Sequence, residues 1–228
     1  MSEHVHIHPP EELGRPGGRP SSLLSERERV YELLAAILLS LATLGIAWSG
    51  YQAARWSGVQ SRRYAQSSAA RSQANRASTA ASQDRLQDLL NFNRWLEVST
   101  QGNQDLAALY ERRFRPEFVP AFKAWQAEDP LRNPAAVASP LNMQEYKLAN
   151  AETADKLERL GDTRFEQGKT ATDHTDNYVL TTVFFAAVLF FAGISTRFEW
   201  LNVRAAVLVM AAAGLGYAVF RVFTLPYF

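Results

Sequence analysis

VYELLAAILLSLATLGIAWS, residues 30–49, decides the architecture of this chain. Glu32 is its one charged residue, and the next 22 positions, through Ala54, carry none. At 1.5 Å rise per residue, about 20 apolar residues cross a hydrocarbon layer about 30 Å thick. A stretch that is apolar all round lacks the polar face of a helix lying on a soluble core. Two later blocks repeat the pattern. YVLTTVFFAAVLFFAGIS, 178–195, is uncharged throughout, and so is AAVLVMAAAGLGYAVF, 205–220. The last is short for a span, so Arg204 and Arg221 at its edges are expected to snorkel outward and extend it. The reading is three transmembrane helices at 29–50, 178–196 and 203–222, the last two joined by the short turn TRFEWLNVR. Small residues four apart, Gly45 and Ser49 in the first block and Ala212 and Gly216 in the third, permit close packing in lipid.

The composition agrees once it is read by position. The 228 residues are 47% hydrophobic and 21% charged with a net charge of +1, and the charges are kept out of the three blocks. Near-neutrality argues against a nucleic-acid partner. With no cysteine, disulfides, thiolate metal sites and thiol catalysis are excluded. The first 29 residues carry five Glu against four Arg, unlike the basic start of a cleaved leader, although Gly45 and Ala47 have cleavage-like spacing. Block one is therefore read as an uncleaved anchor behind a disordered tail, 1–28. Orientation is nearly balanced. Arg15, Arg19, Arg27, Arg29, Arg197 and Arg204 lie on one side, and Arg55, Arg62, Arg63, Arg164, Lys169 and Arg221 on the other. Long loops count less, so the balance tips toward an inside N-terminus.

Residues 51–177 are expected to form an extramembrane helical hairpin, antiparallel and coiled-coil-like. No proline interrupts 51–115, and the only glycines there are Gly58 and Gly102. A 3-then-4 spacing through 51, 54, 58, 61, 65, 68, 72, 75, 79, 82, 86, 89, 93 and 96 reads as a seam, small and polar first and leucine-rich later. The return helix, expected from about Leu141, carries eight acids against five bases, whereas the outgoing helix has no acid from Leu33 to Gln83. An acidic helix beside a basic one selects register and partner more than it adds stability. The fold class is thus all-α: three transmembrane helices with the hairpin between the first and second.

A Pro- and aromatic-rich tip, 110–140, joins the two long helices. It holds five of the ten prolines, with Tyr110, Phe114, Phe118, Phe122 and Trp125 three or four apart. Pro116 suits the first turn of a short helix reaching about Gln126. Such a face can fold down as a hydrophobic cap or meet a partner, and Phe114, Phe118, Phe122 and Trp125 are the candidate partner-binding residues.

Motifs for other chemistry fail one by one. GKT at 168–170 has Thr163 where a phosphate loop needs glycine, and lies in helical text. Asp173, His174, Asp176 and Asn177 read as a polar collar rather than a cation site. His4, His6 and His8 alternate in a Pro/Gly-flanked stretch and read as a plain flexible tail, with weak adventitious metal binding the alternative. The spans carry no charge at their centres, which disfavours a proton-coupled transporter. No catalytic, cofactor or metal residue is assigned, and no enzyme activity is expected.

The run SLATLGIAWSGYQAARWSG, 40–58, together with RFRPEF, 113–118, resembles a signature of uncharacterised bacterial inner-membrane proteins built as one span, a helical insert and two spans. The resemblance implies a bacterial inner-membrane location and transfers no functional residue. The expected function is that of a non-enzymatic membrane protein whose hairpin mediates self-assembly or partner binding, with the lipid bilayer, further copies of itself and a protein at the tip as partners. The alternative is a subunit of an oligomeric channel or membrane sensor, which conductance in a reconstituted bilayer would separate.

Overall fold

The computed structural model describes residues 26–228. The expectations for most of the tail, including His4, His6 and His8, lie outside the described residues. Within them the chain is all-α: 82% is helical and no strand occurs. Helix α1 spans Glu26–Thr100, α2 Gln104–Glu111, α3 Val119–Ala127, α4 Ala149–Ser195 and α5 Leu201–Thr224, with a 3-10 turn at Pro140–Asn142 before α4. Helices α1, α4 and α5 are each long and apolar enough to cross a membrane.

Four boundaries differ from the sequence reading. Helix α1 stops at Thr100, before the tip expected from Tyr110, because Gly102 takes a left-handed φ of +79°. The Asn103 N–H then donates to Val98 O (3.2 Å) and the Gly102 N–H to Ser99 O (3.1 Å), which closes the end of the helix as a Schellman motif. Asn103 also caps α2, its side chain accepting from Leu106 N. Pro120, not Pro116, occupies the first turn of α3. The return helix starts at Ala149, eight residues after Leu141, since Pro140 and the turn behind it hold 140–148 out of helix. Helix α5 extends two residues beyond 203–222 at each end.

The chain divides into two compact units, one formed by Asp176–Phe228 with the chain up to Ala53, the other by Ala54–Thr175.

The first unit packs Ala42, Phe185, Val188, Ala192, Ala211 and Ala218 at its centre, each at most 2% exposed. The alanines let backbones approach, and at Gly45 even a methyl group would collide with the Phe185 ring. Its outer surface is apolar: Leu33, Leu44, Val183, Phe190, Val209 and Phe220 are all more than half exposed. Only 11% of the most apolar stretch of α1 is buried within the chain, a pattern suited to lipid and costly in water. The two bounding arginines do not snorkel. Arg204 is only 8% exposed and lies over the Tyr31 ring at 5.9 Å, and Arg221 is half-buried, donating from Nη2 to Asn177 Oδ1 (2.7 Å). Both turn inward because aromatic and amide groups of neighbouring helices lie within reach. The segment after α5 is tied down too: Phe228 N donates to Gln52 Oε1 (3.0 Å), and the Tyr178 hydroxyl to Pro226 O (3.3 Å).

In the second unit the buried face of α1 is not the expected seam. Ser67, Ala70, Ala74, Ala81, Asp88, Phe92, Trp95 and Val98 are buried, while Ala54, Ala65, Ser68, Ser72, Asn75, Thr79, Ser82, Leu86 and Leu89 are exposed. The spacing is as read, but the phase is off by one residue, about 100° around the helix. Large aromatics outweigh leucines in choosing the buried side, and α4 pins it again. Gly161 lies against Arg71 and Ser67, and Gly168 lies so close to the Tyr64 ring that a Cβ there would come within 2.7 Å. Between α1 and α4, Tyr64 packs on Phe165 (5.5 Å) and shares a hydrogen bond with Thr172, Arg71 pairs with Asp162 (2.9 Å), and Asn150 donates to Asp84 (2.8 Å).

Candidate functional site: the aromatic cap and its carboxylate clamp

Seven aromatic rings meet in the 54–175 unit. Phe92 and Trp95 come from the last turns of α1, Phe114 and Phe118 from the connection to α3, Phe122 and Trp125 from α3, and Tyr146 from the approach to α4. Phe92 and Trp95, three apart, share one face of α1, and Phe122 and Trp125, three apart, share one face of α3; the sharp ends of α1 and α2 turn these faces toward one another. The rings meet mostly edge to face: Phe92 on Trp125 at 5.1 Å, Trp95 on Phe122 at 4.7 Å, Phe114 on Phe122 at 4.8 Å and Phe114 on Phe118 at 5.1 Å. Such pairs add about 0.5–1.5 kcal/mol each beyond the area they bury.

Both indole N–H groups find acceptors. Trp95 Nε1 donates to Glu111 Oε1 (2.9 Å) on α2, and Trp125 Nε1 to Val137 O (2.7 Å). Val137 N in turn donates to Glu128 Oε2 (2.9 Å), so the proline-rich segment after α3 is stitched to the cap it covers.

Beside the rings lies a polar clamp. Asp84 and Asp88, one turn apart on α1, face Arg115. The guanidinium grips Asp88 with two bonds, Nε to Oδ1 at 3.1 Å and Nη2 to Oδ2 at 3.2 Å, and reaches Asp84 Oδ1 with Nη1 at 3.0 Å. The Tyr146 hydroxyl donates to Asp88 Oδ2 (3.0 Å) and Asn150 Nδ2 to Asp84 Oδ2 (2.8 Å). Asp88 is only 1% exposed, and three donors supply the ligation a buried carboxylate needs. The hydrogen bond to Asp88 raises the Arg115 pKa further, against the opposing effect of burial. Burial first, and the bond to Asp88 second, push the Tyr146 phenol far above its ordinary value. Arg115 therefore stays charged and the Tyr146 phenol stays protonated near neutrality. The arrangement fixes geometry.

The four candidate partner-binding residues are all brought together here. Phe118 is 0% exposed, Trp125 3%, Phe122 4% and Phe114 7%, so in the single chain they are interior side chains. A partner would meet what covers them, or the cap would have to open. The clamp was not foreseen from the sequence. Its trace there is that Asp84 and Asp88, four apart, are the first acids after a stretch of α1 that has none from Leu33 to Gln83.

Of the polar collar, His174 packs its ring on Trp56 at 4.5 Å, and among the described residues no group of three or more His, Cys, Asp or Glu side chains could hold a metal ion. The chain matches no family model, no curated protein and no solved structure.

Proposed function

We propose that this chain is a multi-pass protein of the bacterial inner membrane, without catalytic activity of its own, whose segment between the first two spans is an antiparallel helical hairpin for assembly with copies of itself or with a protein partner. The resemblance of residues 40–58 and 113–118 to bacterial inner-membrane proteins supports the location. The pairing of Tyr64, Arg71 and Asp84 with Thr172, Asp162 and Asn150 in turn, rising along α1 as it falls along α4, supports the hairpin.

One observation carries assembly. A second stripe of α1 with coiled-coil spacing is left uncovered by the chain. It is small along Ala54, Ala65, Ser68 and Ser72, then apolar at Leu86 and Leu89, which are 55% and 39% exposed. Small residues let another helix approach closely, and leucines make that approach favourable at about 25 cal/mol per Å² buried. Next to the stripe, α1 and α4 part around a groove of about 590 Å³ lined by Ala74, Ser78 and Ala81 opposite Ala151 and Ala154. Arg71 and Arg85 flank it on one side, Asp155 and Glu158 on the other, a pattern that suits a helix of mixed charge.

Light scattering of the detergent-solubilised full chain tests this. An oligomer is expected, and replacing Ala65 and Ser72 together with arginine should dissociate it, since both side chains add bulk and like charge beside Arg62 and Arg71. A monomeric wild type with its helices intact refutes assembly with itself. Release of the protein from membranes by alkaline carbonate would refute the membrane placement separately.

A further inference from the structure

The 54–175 unit has two unlike flanks. On one of them α1 and α4 part around two grooves, of about 590 and 570 Å³, which share Arg71 and Asn75 in their walls and so run on from one to the other. Exposed apolar side chains lie on this flank too. Phe165, 40% exposed, lines the second groove, and Leu86 and Leu89 each stand four residues beyond a groove-lining residue of α1, Ser82 and Arg85 in turn. The opposite flank of α1 presents Gln66, Gln73 and Gln87 around Ala80 at intervals of seven, with no large apolar side chain among them.

Charge divides between the two walls. Helix α1 contributes Arg71 and Arg85 to the first groove, and α4 contributes Asp155 and Glu158. Asp155, Glu158, Asp162 and Glu166 follow one another by three or four, so they share the groove-side flank of α4. Arg71 and Asp162 are paired across the walls at 2.9 Å, whereas Arg76, Arg85, Glu158 and Glu166 form no ion pair among the described residues.

The bilayer limits how a second copy can approach. Copies in one membrane insert in the same sense, so α1 of one runs parallel to α1 of the other and antiparallel to its α4. Setting α1 on α1 would bring like charges together, because α1 has no acid from Leu33 to Gln83. Turning the two groove flanks together about a two-fold axis along the helices instead sets each α1 on the other copy's α4, basic wall on acidic wall, at both contacts. All neighbours among the four helices are then antiparallel, as in an up-and-down four-helix bundle.

We propose that the groove flank seats a second copy of this chain, the two hairpins closing into a four-helix bundle with α1 of each against α4 of the other. The small walls, Ala74, Ser78 and Ala81 opposite Ala151 and Ala154, permit close approach, and Leu86, Leu89 and Phe165 gain the cover that the single chain denies them. The bundle rests on the self-assembly proposed above and adds its stoichiometry, symmetry and contact face.

Disulfide cross-linking in membranes tests the seating, and with no natural cysteine in the chain the introduced thiols are the only ones. Ser82 and Ala151 line opposite walls near the level of the Asp84–Asn150 hydrogen bond. Ser82→Cys in one tagged full-length copy and Ala151→Cys in a second, co-expressed and oxidised, should give a linked pair carrying both tags. Gln73→Cys with Leu160→Cys, near the level of the Arg71–Asp162 pair but on the opposite flank, should give none. Light scattering in detergent should read two chains. Asp155→Lys together with Glu158→Lys, both exposed in the single chain, should lose the dimer with helix content kept; if that variant is unfolded, the cross-link pattern and the mass carry the test. Linking by the control pair in place of the groove pair, a mass above two chains, or a dimer that survives the charge reversal overturns the bundle and leaves self-assembly standing. A monomeric wild type refutes both and leaves the groove to a different protein.

Discussion

Replacing Arg115 with alanine strands a charge, and the cost follows from the geometry. Asp88 is 1% exposed and loses both bonds of the bidentate grip, keeping only the Tyr146 hydroxyl. Asp84 loses its contact with Nη1 as well, but at 23% side-chain exposure water can replace part of it. Removing one member of a buried ion pair costs about 3–5 kcal/mol, mostly the penalty on the charge left behind. For a unit of this size that lowers the melting temperature by roughly ten degrees or more. The assay is thermal unfolding of the full chain in detergent, followed by near-ultraviolet circular dichroism, which reports the rings packed around Trp95 and Trp125. Asp88→Asn provides the control. If the stranded charge is the cause, the double variant lacking both Arg115 and the Asp88 charge should be more stable than Arg115→Ala alone, with a coupling of at least about 1.5 kcal/mol. An Arg115→Ala protein within about 1 kcal/mol of wild type, or strictly additive effects, would refute the clamp as a determinant of this unit's stability.

Two further outcomes are expected of the same unit. Truncating Phe118 or Trp125 to alanine should cost about 3–5 kcal/mol, because each leaves a cavity among fixed rings; wild-type melting with loss of a partner in pull-downs would instead make these residues an interface. The Tyr146 phenol is raised above its unfolded value of about 10, so its contribution to stability is complete below that pH and is lost as the pH climbs toward the folded value. Alkaline unfolding above about pH 10 should therefore be shallower in Tyr146→Phe, which also gives up about 1.5–3 kcal/mol at neutral pH from the lost bond to a carboxylate. An unchanged alkaline limb in that variant would exclude the phenol as its source.

How far this molecule can be read from its residues depends on which solvent each part faces. Lipid makes one demand, a long run without charge, and 30–49, 178–195 and 205–220 meet it locally, so three membrane-length helices are legible from composition alone. The same simplicity hides what happens at their ends: nothing about Arg204 or Arg221 in sequence says whether the side chain turns to water or to Tyr31 and Asn177. Outside those runs, α1 from Ala65 to Ser82 is built of Ala, Ser, Thr, Gln, Asn and Arg around its whole circumference, with too little contrast to show which side is buried. The phase comes instead from residues distant in sequence. Phe92 and Trp95 must meet Phe122 and Trp125, and Gly161 and Gly168 must pass Arg71 and Tyr64. The clamp is hidden for the same reason. Asp84 and Asp88 announce themselves as a pair one turn apart, but their partner lies 27 residues from Asp88, beyond a helix end set by Gly102. The aromatic cap is the intermediate case: its rings are visible by spacing, yet whether such a face turns inward depends on whether the indole N–H groups find acceptors. Glu111 and the Val137 carbonyl provide them, so the rings are buried at little polar cost, and the face left open on α1 is the one made of small residues and leucines.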